Sequence, residues 1–121
     1  MARIATIPIV NREPGRHEFA DAAVPQGDTR ITAELDRSTL TDPAVLIGWG
    51  LELSLDGGQT WLPWGAATCA GGQDIDPATG QPFARSSFTV PLPPEGALQR
   101  RVRPAVTLNR TASTILAIDT V

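Results

Sequence analysis

The chain has 121 residues, a length typical of one domain. Its apolar fraction is 41%, its charged fraction is 19% and its net charge is -3, which is a globular composition. This weakly acidic balance, with a pI near 5.0, gives no general electrostatic attraction to nucleic acid or to an anionic membrane surface, so we expect neither as a partner. A single cysteine, Cys69, excludes an intrachain disulfide.

Short strands are predicted along the whole chain, because helical periodicity is absent and eleven prolines and eleven glycines interrupt the sequence. Residues 3–10 are rich in β-formers, but Pro8 cannot donate a ladder hydrogen bond. Residues 1–15 are therefore predicted to be an N-terminal arm or an edge strand. Residues 16–121 are predicted to be the β-sandwich domain, which begins with a strand over 16–24.

Alternation of apolar and polar residues places the later strands. Residues 29–36 alternate cleanly, which indicates a half-buried strand. A long strand over 44–55 contains Gly48 and Gly50, which indicate a bulge or the close approach of another backbone. Seven to eight strands predict an all-β protein, a single-domain antiparallel β-sandwich that is jelly-roll-like. The remaining predicted elements are strands over 59–69, 83–90, 99–108 and 112–120, a loop over 71–82, and a final hairpin at 109–110.

One segment fits a sharp pattern. Ser54-Leu55-Asp56-Gly57-Gly58-Gln59-Thr60-Trp61 matches S-x-D-x-G-x-T-W at every specified position. Asp-Gly between alternating apolar strands is a strong hairpin signal, because the tight turn needs positive φ. The carboxylate of Asp56 can fold back onto backbone N–H groups of the turn, and the two hydroxyls can satisfy other polar groups. We expect Trp61 to pack its ring on the core side.

This segment resembles the Asp box, a hairpin motif of sialidases and other β-propeller proteins that also occurs singly in unrelated β domains. The resemblance covers eight residues, so it implies a local structure and no family, and a chain of this length cannot form a propeller. In the families it resembles, the Asp box lies away from the active site. We therefore expect a structural role, in preference to a direct ligand role, for Ser54, Asp56, Gly58, Thr60 and Trp61.

Few other residues indicate a ligand site. Asp74 and Asp76 have the spacing of part of a calcium loop, but the third acidic position and the terminal glutamate are missing, and turn chemistry explains the same residues. Trp49 alternates in step with the apolar residues of its strand, so it is expected in the core. Trp64, which follows Pro63, is the tryptophan expected to be exposed and available for stacking on a sugar.

Arg101 and Arg103 are predicted to share one strand face, where pairing with acidic residues such as Glu34 or Glu52, or with another subunit, is favoured over phosphate binding. His17 is the sole histidine, so neither a zinc site with Cys69 nor a catalytic triad is expected. The sequence predicts no catalytic residue, no metal and no cofactor. The predicted ligand or partner surface consists of Trp64, Arg101, Arg103, Asp74 and Asp76.

These observations predict a non-enzymatic protein of binding or assembly. A small β domain with a candidate arm and proline-stiffened loops resembles, in overall character, small phage virion proteins: capsid decoration or cement proteins and head–tail or tail accessory proteins. That resemblance implies a homo-oligomer, contacts with a major capsid or tail protein, and location in the virion after synthesis in the host cytoplasm. The alternatives are a glycan-binding carbohydrate-binding module or lectin-like sandwich, and a cytoplasmic location. A start at Met1 without a signal peptide weighs against the secreted module.

Overall fold

A computed structural model describes residues 2–72, 77–78, 80, 85–94 and 99–121. The regular structure in these residues is β-strand throughout, and they contain no helix long and apolar enough to cross a membrane. The nine strands are β1 (Ala2–Arg12), β2 (Gly15–Glu18), β3 (Ala22–Ala23), β4 (Arg30–Asp36), β5 (Leu46–Ser54), β6 (Leu62–Ala70), β7 (Arg85–Pro91), β8 (Arg101–Leu108) and β9 (Ala112–Thr120).

The strands form two antiparallel sheets that enclose one core. Sheet A has the order β1-β9-β4-β7, and sheet B has the order β2-β8-β5-β6. β3 pairs with β8 beyond β2, so β2 and β3 together form one edge of sheet B. β1 forms an edge of sheet A and pairs with β9 along its length. The predicted all-β antiparallel sandwich is confirmed.

The connectivity is that of a jelly roll. Apart from the β2–β3 interruption and the β5–β6 hairpin, every connection carries the chain from one sheet to the other. When β2 and β3 are counted as one interrupted strand, eight strands remain, four in each sheet, in the order of two nested Greek keys.

Two details differ from the sequence prediction. The strand expected over 16–24 is divided into β2 and β3, and at the division the N–H of Phe19 donates to the carbonyl of Pro104 at 3.1 Å. This division brings the strands to nine. The hairpin expected at 109–110 is wrong, because β8 and β9 lie in different sheets and the short connection crosses the core. Apolar and polar residues alternate along both strands, and this alternation alone does not determine which sheet a strand joins.

The core lies between the inward faces of the central strands. β4 buries Ile31, Ala33 and Leu35, as its alternation predicted, and the residues between them stay partly exposed. Burial of one such aliphatic side chain stabilises the fold by roughly 1.5–3 kcal/mol. The inward residues of β5 and β8 complete the same core: Ile47, Trp49, Leu51, Leu53, Val102, Val106 and Leu108.

Two glycines let β5, β6 and β7 approach one another closely. A Cβ on Gly50 would lie 2.5 Å from the carbonyl oxygen of Gly65, and the β5–β6 register shifts just after Gly50. The close approach predicted for Gly48 and Gly50 is therefore confirmed at Gly50, whereas no atom lies within 4 Å of a Cβ on Gly48. A Cβ on Gly65, where φ is +95°, would overlap the ring of Phe88. Phe88 in turn packs on Trp49 with ring centroids 4.9 Å apart. These contacts close the β6–β7 side of the sandwich.

A buried guanidinium holds two of the connections between the sheets. Arg100 is 2% exposed. Its Nη1 donates to the carbonyls of Asp28 and Pro93, both at 2.9 Å, and its Nη2 donates to the carbonyl of Pro25 at 3.0 Å. Pro25 and Asp28 lie between β3 and β4, and Pro93 lies between β7 and β8. One side chain therefore satisfies carbonyls of two crossings at the same end of the sandwich.

Replacing Arg100 with Met, which keeps much of the side-chain length, should lower the free energy of unfolding by about 3 kcal/mol, because buried carbonyls would lose their donors. Urea denaturation measures this change. The same substitution at Arg110, an exposed residue in the β8–β9 connection, should change the free energy of unfolding by less than about 0.5 kcal/mol. Equal effects at the two positions would contradict the assigned role of Arg100.

Candidate interaction surfaces

The hairpin between β5 and β6 is held by the carboxylate of Asp56. Its Oδ1 accepts the hydroxyl of Ser54 at 2.6 Å and the backbone N–H groups of Gln59 and Thr60 at 3.0 and 2.9 Å. Its Oδ2 accepts the hydroxyl of Thr60 at 2.5 Å. The carboxylate thus satisfies donors on both sides of the turn, and each of these hydrogen bonds stays within the hairpin.

Ser54 and two glycines complete the turn. The Oγ of Ser54, which is buried, also accepts the N–H of Gly58 at 2.8 Å. Gly57 and Gly58 have φ of +76° and +102°, which a side chain would disfavour. The hydrogen bond from Ser54, followed by those from Thr60, holds the pKa of Asp56 well below its ordinary value. The turn therefore depends on the ionised form of Asp56.

Replacing Asp56 with Asn should lower the free energy of unfolding at pH 7, because one acceptor oxygen becomes a donor group that faces other donors. Folding lowers the pKa of Asp56, so its contribution is fully present above the unfolded-state pKa of about 4 and disappears as the pH falls through the lower folded-state pKa. The difference in the free energy of unfolding between wild type and Asp56→Asn should therefore be constant from pH 7 to 5 and become smaller at lower pH.

Urea denaturation at a series of pH values between 7 and 2 checks this dependence. Glu13→Gln, which removes an exposed carboxylate outside the hairpin, is the control. A difference for Asp56→Asn that stays unchanged down to pH 2 would show that the charge of Asp56 does not hold the turn.

The three tryptophans occupy three different environments. Trp49 is buried in the core, as its parity predicted. Trp61 does not pack into the core as expected: it lies at the end of the hairpin, before β6 begins, where the guanidinium of Arg103 lies over its ring at 4.4 Å from the centroid. Trp64 was expected to be exposed, but it is half-buried, packs against the core and donates its Nε1–H to the carbonyl of Pro91 at 2.7 Å. Each ring is engaged by other parts of the chain.

Arg103 belongs to a cluster of four charged residues on the outer face of sheet B. Glu52 accepts hydrogen bonds from Nη2 of Arg16 at 3.0 Å and from Nε of Arg103 at 3.1 Å. Glu18 pairs with Arg16, and its Oε2 lies 3.5 Å from Nη1 of Arg103. The hydrogen bond from Arg16 lowers the pKa of Glu18. Two cations and two anions give this ion-pair cluster no net charge.

Arg101 is also paired within the chain. Its Nε donates to the carboxylate of Asp21, and this hydrogen bond lowers the pKa of Asp21. The structure brings Arg101 and Arg103 to one face of sheet B, and it places Trp64 at the side of the sandwich instead. Asp74 and Asp76 lie outside the described residues. Across the described ranges, no group of three or more His, Cys, Asp or Glu side chains is arranged to hold a metal ion.

A cavity of about 710 Å³ opens where β5 and β6 meet β7. Three polar side chains of its wall are hydrogen-bonded within the protein. Nη2 of Arg37 donates to the carbonyl of Ala70 at 3.1 Å, Nη1 of Arg85 donates to the carboxylate of Glu34 at 3.2 Å, and the hydroxyl of Ser86 accepts the Nε1–H of Trp49 at 3.2 Å. The half-buried Cys69 also lines the wall. These groups serve the fold.

The outer face of sheet A carries an apolar patch that the sequence analysis missed. The edge patch consists of Pro8, Val10 and Ile115. Pro8 of β1 and Ile115 of β9 are direct partners across the ladder, and Val10 follows on the same face of β1. Val10 is 65% exposed and Ile115 is 46% exposed. The available signal was residues 7–10, where apolar side chains occupy both faces of one strand.

No protein-family model matches the chain, and no curated protein matches it in sequence. The fold and its surfaces define a jelly-roll β-sandwich domain with a neutral ion-pair cluster on one outer face and an apolar edge patch on the other.

Proposed function

We propose that this protein is a non-enzymatic structural component of a phage particle, a capsid decoration or cement protein or a head–tail accessory protein, which acts through protein–protein contacts. The observation that carries the proposal is the edge patch, where adjacent aliphatic side chains of two paired strands face solvent. A single exposed aliphatic residue is ordinary, whereas adjacent ones on a sheet face offer a protein partner apolar surface to bury.

The charged face of sheet B supports the same proposal. The ion-pair cluster and the Arg101–Asp21 pair are neutral, and the arginines are oriented by their partners. Arginine whose guanidinium is already oriented loses little conformational freedom when it meets a partner protein, and it is enriched at protein interfaces. A surface of this kind favours a protein partner over a strongly charged polymer.

The jelly roll occurs in viral capsid domains and in lectins, so the fold alone does not choose between them. A lectin that stacks sugars on aromatic rings needs an open ring face. Arg103 covers a face of Trp61, and Trp49 is in the core. Trp64 packs against the core and donates its Nε1–H to the carbonyl of Pro91. These contacts favour the structural protein over the glycan-binding alternative.

Sedimentation of particles tests the proposed location. An antibody raised against the purified protein is used to probe density-gradient fractions of a lysate from its native source. The protein should sediment with phage particles and remain with them after washing in moderate salt. Recovery only at the top of the gradient, with capsid proteins lower down, would overturn the proposed function.

The edge patch should supply much of the binding. A double variant, Val10→Ser with Ile115→Ser, should bind purified particles at least about tenfold more weakly in a co-sedimentation assay, because two apolar side chains no longer leave water on binding. Leu62→Ser, at a residue that is 51% exposed in β6, is the matched control and should bind like wild type. An equal loss of particle binding in the double variant and in Leu62→Ser would refute the assignment of binding to the edge patch.

A further inference from the structure

β1 is attached to the fold along one edge only. It has eleven residues and forms its ladder with β9, on the outside of sheet A. The ladder shifts register near both ends of β1, between Arg3 and Ala5 and again between Ile9 and Arg12. A strand with a single ladder partner can leave and be replaced without breaking any other pair of strands.

The connection from β1 to β2 is short and depends on two special backbone conformations. Asn11 has φ of +48° and, within the described ranges, it is the one residue other than glycine with positive φ. Asparagine tolerates that conformation better than other residues that carry a side chain, but less well than glycine. Gly15, at the start of β2, has φ of +121°. The chain must reverse from sheet A to sheet B between these residues.

The two residues inside the connection are Glu13 and Pro14. Pro14 fixes its own φ, and its ring disfavours a helical conformation of Glu13, so both residues favour an extended chain. Hydrogen bonds hold the reversal at both ends. A ring nitrogen of His17 lies 2.6 Å from the carbonyl oxygen of Glu13, and Asn11 donates its N–H to Oγ of Ser113 at 2.8 Å and accepts the hydroxyl of Ser113 on Oδ1 at 3.3 Å. A short connection between two positions of positive φ, whose inner residues favour an extended chain, is the kind of hinge at which a segment can be exchanged.

The contacts of β1 would be the same on a second copy. Ile9 is fully buried and Ile7 packs partly against the core. Nε of Arg3 pairs with Asp119 of β9 at 2.8 Å. A second copy offers the same groove, the same register and the same carboxylate, so exchange conserves every one of these contacts and relieves the hinge.

We propose that β1 is exchanged between two copies of this chain, so that β1 of each copy completes sheet A of the other along β9. The occupant of the β9 edge is therefore the identical segment of a second copy. This inference rests on the proposed function, for which it names one protein partner and the contact that joins the two copies.

Disulfide trapping between single-cysteine chains tests the exchange. Thr6 and Ala117 are direct ladder partners of β1 and β9. In a Cys69→Ala background, one tagged chain carries Thr6→Cys and one untagged chain carries Ala117→Cys. The two chains are co-expressed, purified through the tag and mildly oxidised, and a non-reducing gel then separates monomer from dimer. Exchange predicts a disulfide-linked heterodimer, because each cysteine has its partner on the other chain.

A second pair of positions controls for accidental contact. Thr32 and Thr89 are ladder partners of β4 and β7, which are not exchanged, so Thr32→Cys and Thr89→Cys on separate chains should give no linked dimer. Linked dimer from Thr6 and Ala117 but not from the control pair supports exchange. Dimers in light scattering without this specific link would overturn exchange and leave the proposed function standing. Particle binding by a protein that stays monomeric would also overturn exchange alone.

The hinge provides a second test in which two substitutions act in opposite directions. Asn11→Gly removes the side chain that disfavours the left-handed conformation, so it should shift the population toward monomer. Gly15→Ala adds a side chain at positive φ, where no atom lies within 4 Å of the new Cβ, so it should favour the exchanged dimer by about tenfold for each hinge.

Gly27→Ala is the matched control for the hinge. Gly27 has φ of +84° and equally open space, but it lies in the β3–β4 connection. It should lower stability in the same way without changing the fraction of dimer in light scattering. If Asn11→Gly and Gly15→Ala left the dimer fraction equal to that of Gly27→Ala, the hinge would not control the assembly and the exchange would be refuted.

Discussion

The arrangement of the two sheets depends on how the chain crosses between them, and at one end the buried guanidinium of Arg100 fixes two crossings together. A jelly roll sends almost every connection across the core, so its loops carry carbonyl groups that no neighbouring strand can satisfy. Arg100 supplies donors to three of them from one rigid planar group. The β3–β4 and β7–β8 crossings are hydrogen-bonded to the same guanidinium. This group therefore fixes how β4 and β8 face each other across the core.

The fold class could be predicted because strand alternation is a local property. Ile31, Ala33 and Leu35 alternate in the sequence and are buried in the structure. The sheet that a strand joins is decided by contacts far along the chain, and for this reason β8 and β9 look like a hairpin in sequence although they lie in opposite sheets. The division of β2 from β3 is equally non-local, since it occurs opposite Pro104 of the distant strand β8, which has no N–H to donate to the ladder.

The surfaces were predictable where a local sequence pattern defines them. The turn of the Ser54–Trp61 segment follows from hydrogen bonds within eight residues, so sequence indicated its shape. The position of Trp61 depends on Arg103 in a distant strand, and sequence placed that ring on the wrong side. The edge patch joins Pro8 and Val10 of β1 to Ile115 of β9, where Pro8 and Ile115 are ladder partners, and no sequence window contains residues of both strands.

The lack of a side chain at Gly65 sets the distance between two edges of the sandwich. β6 and β7 are edge strands of different sheets, and the ring of Phe88 from β7 occupies the space that a Cβ on Gly65 would need. Phe88 also packs on the buried ring of Trp49. A larger residue at position 65 would therefore displace Phe88 and, through it, Trp49, so that a change at this edge would be transmitted to the centre of the core.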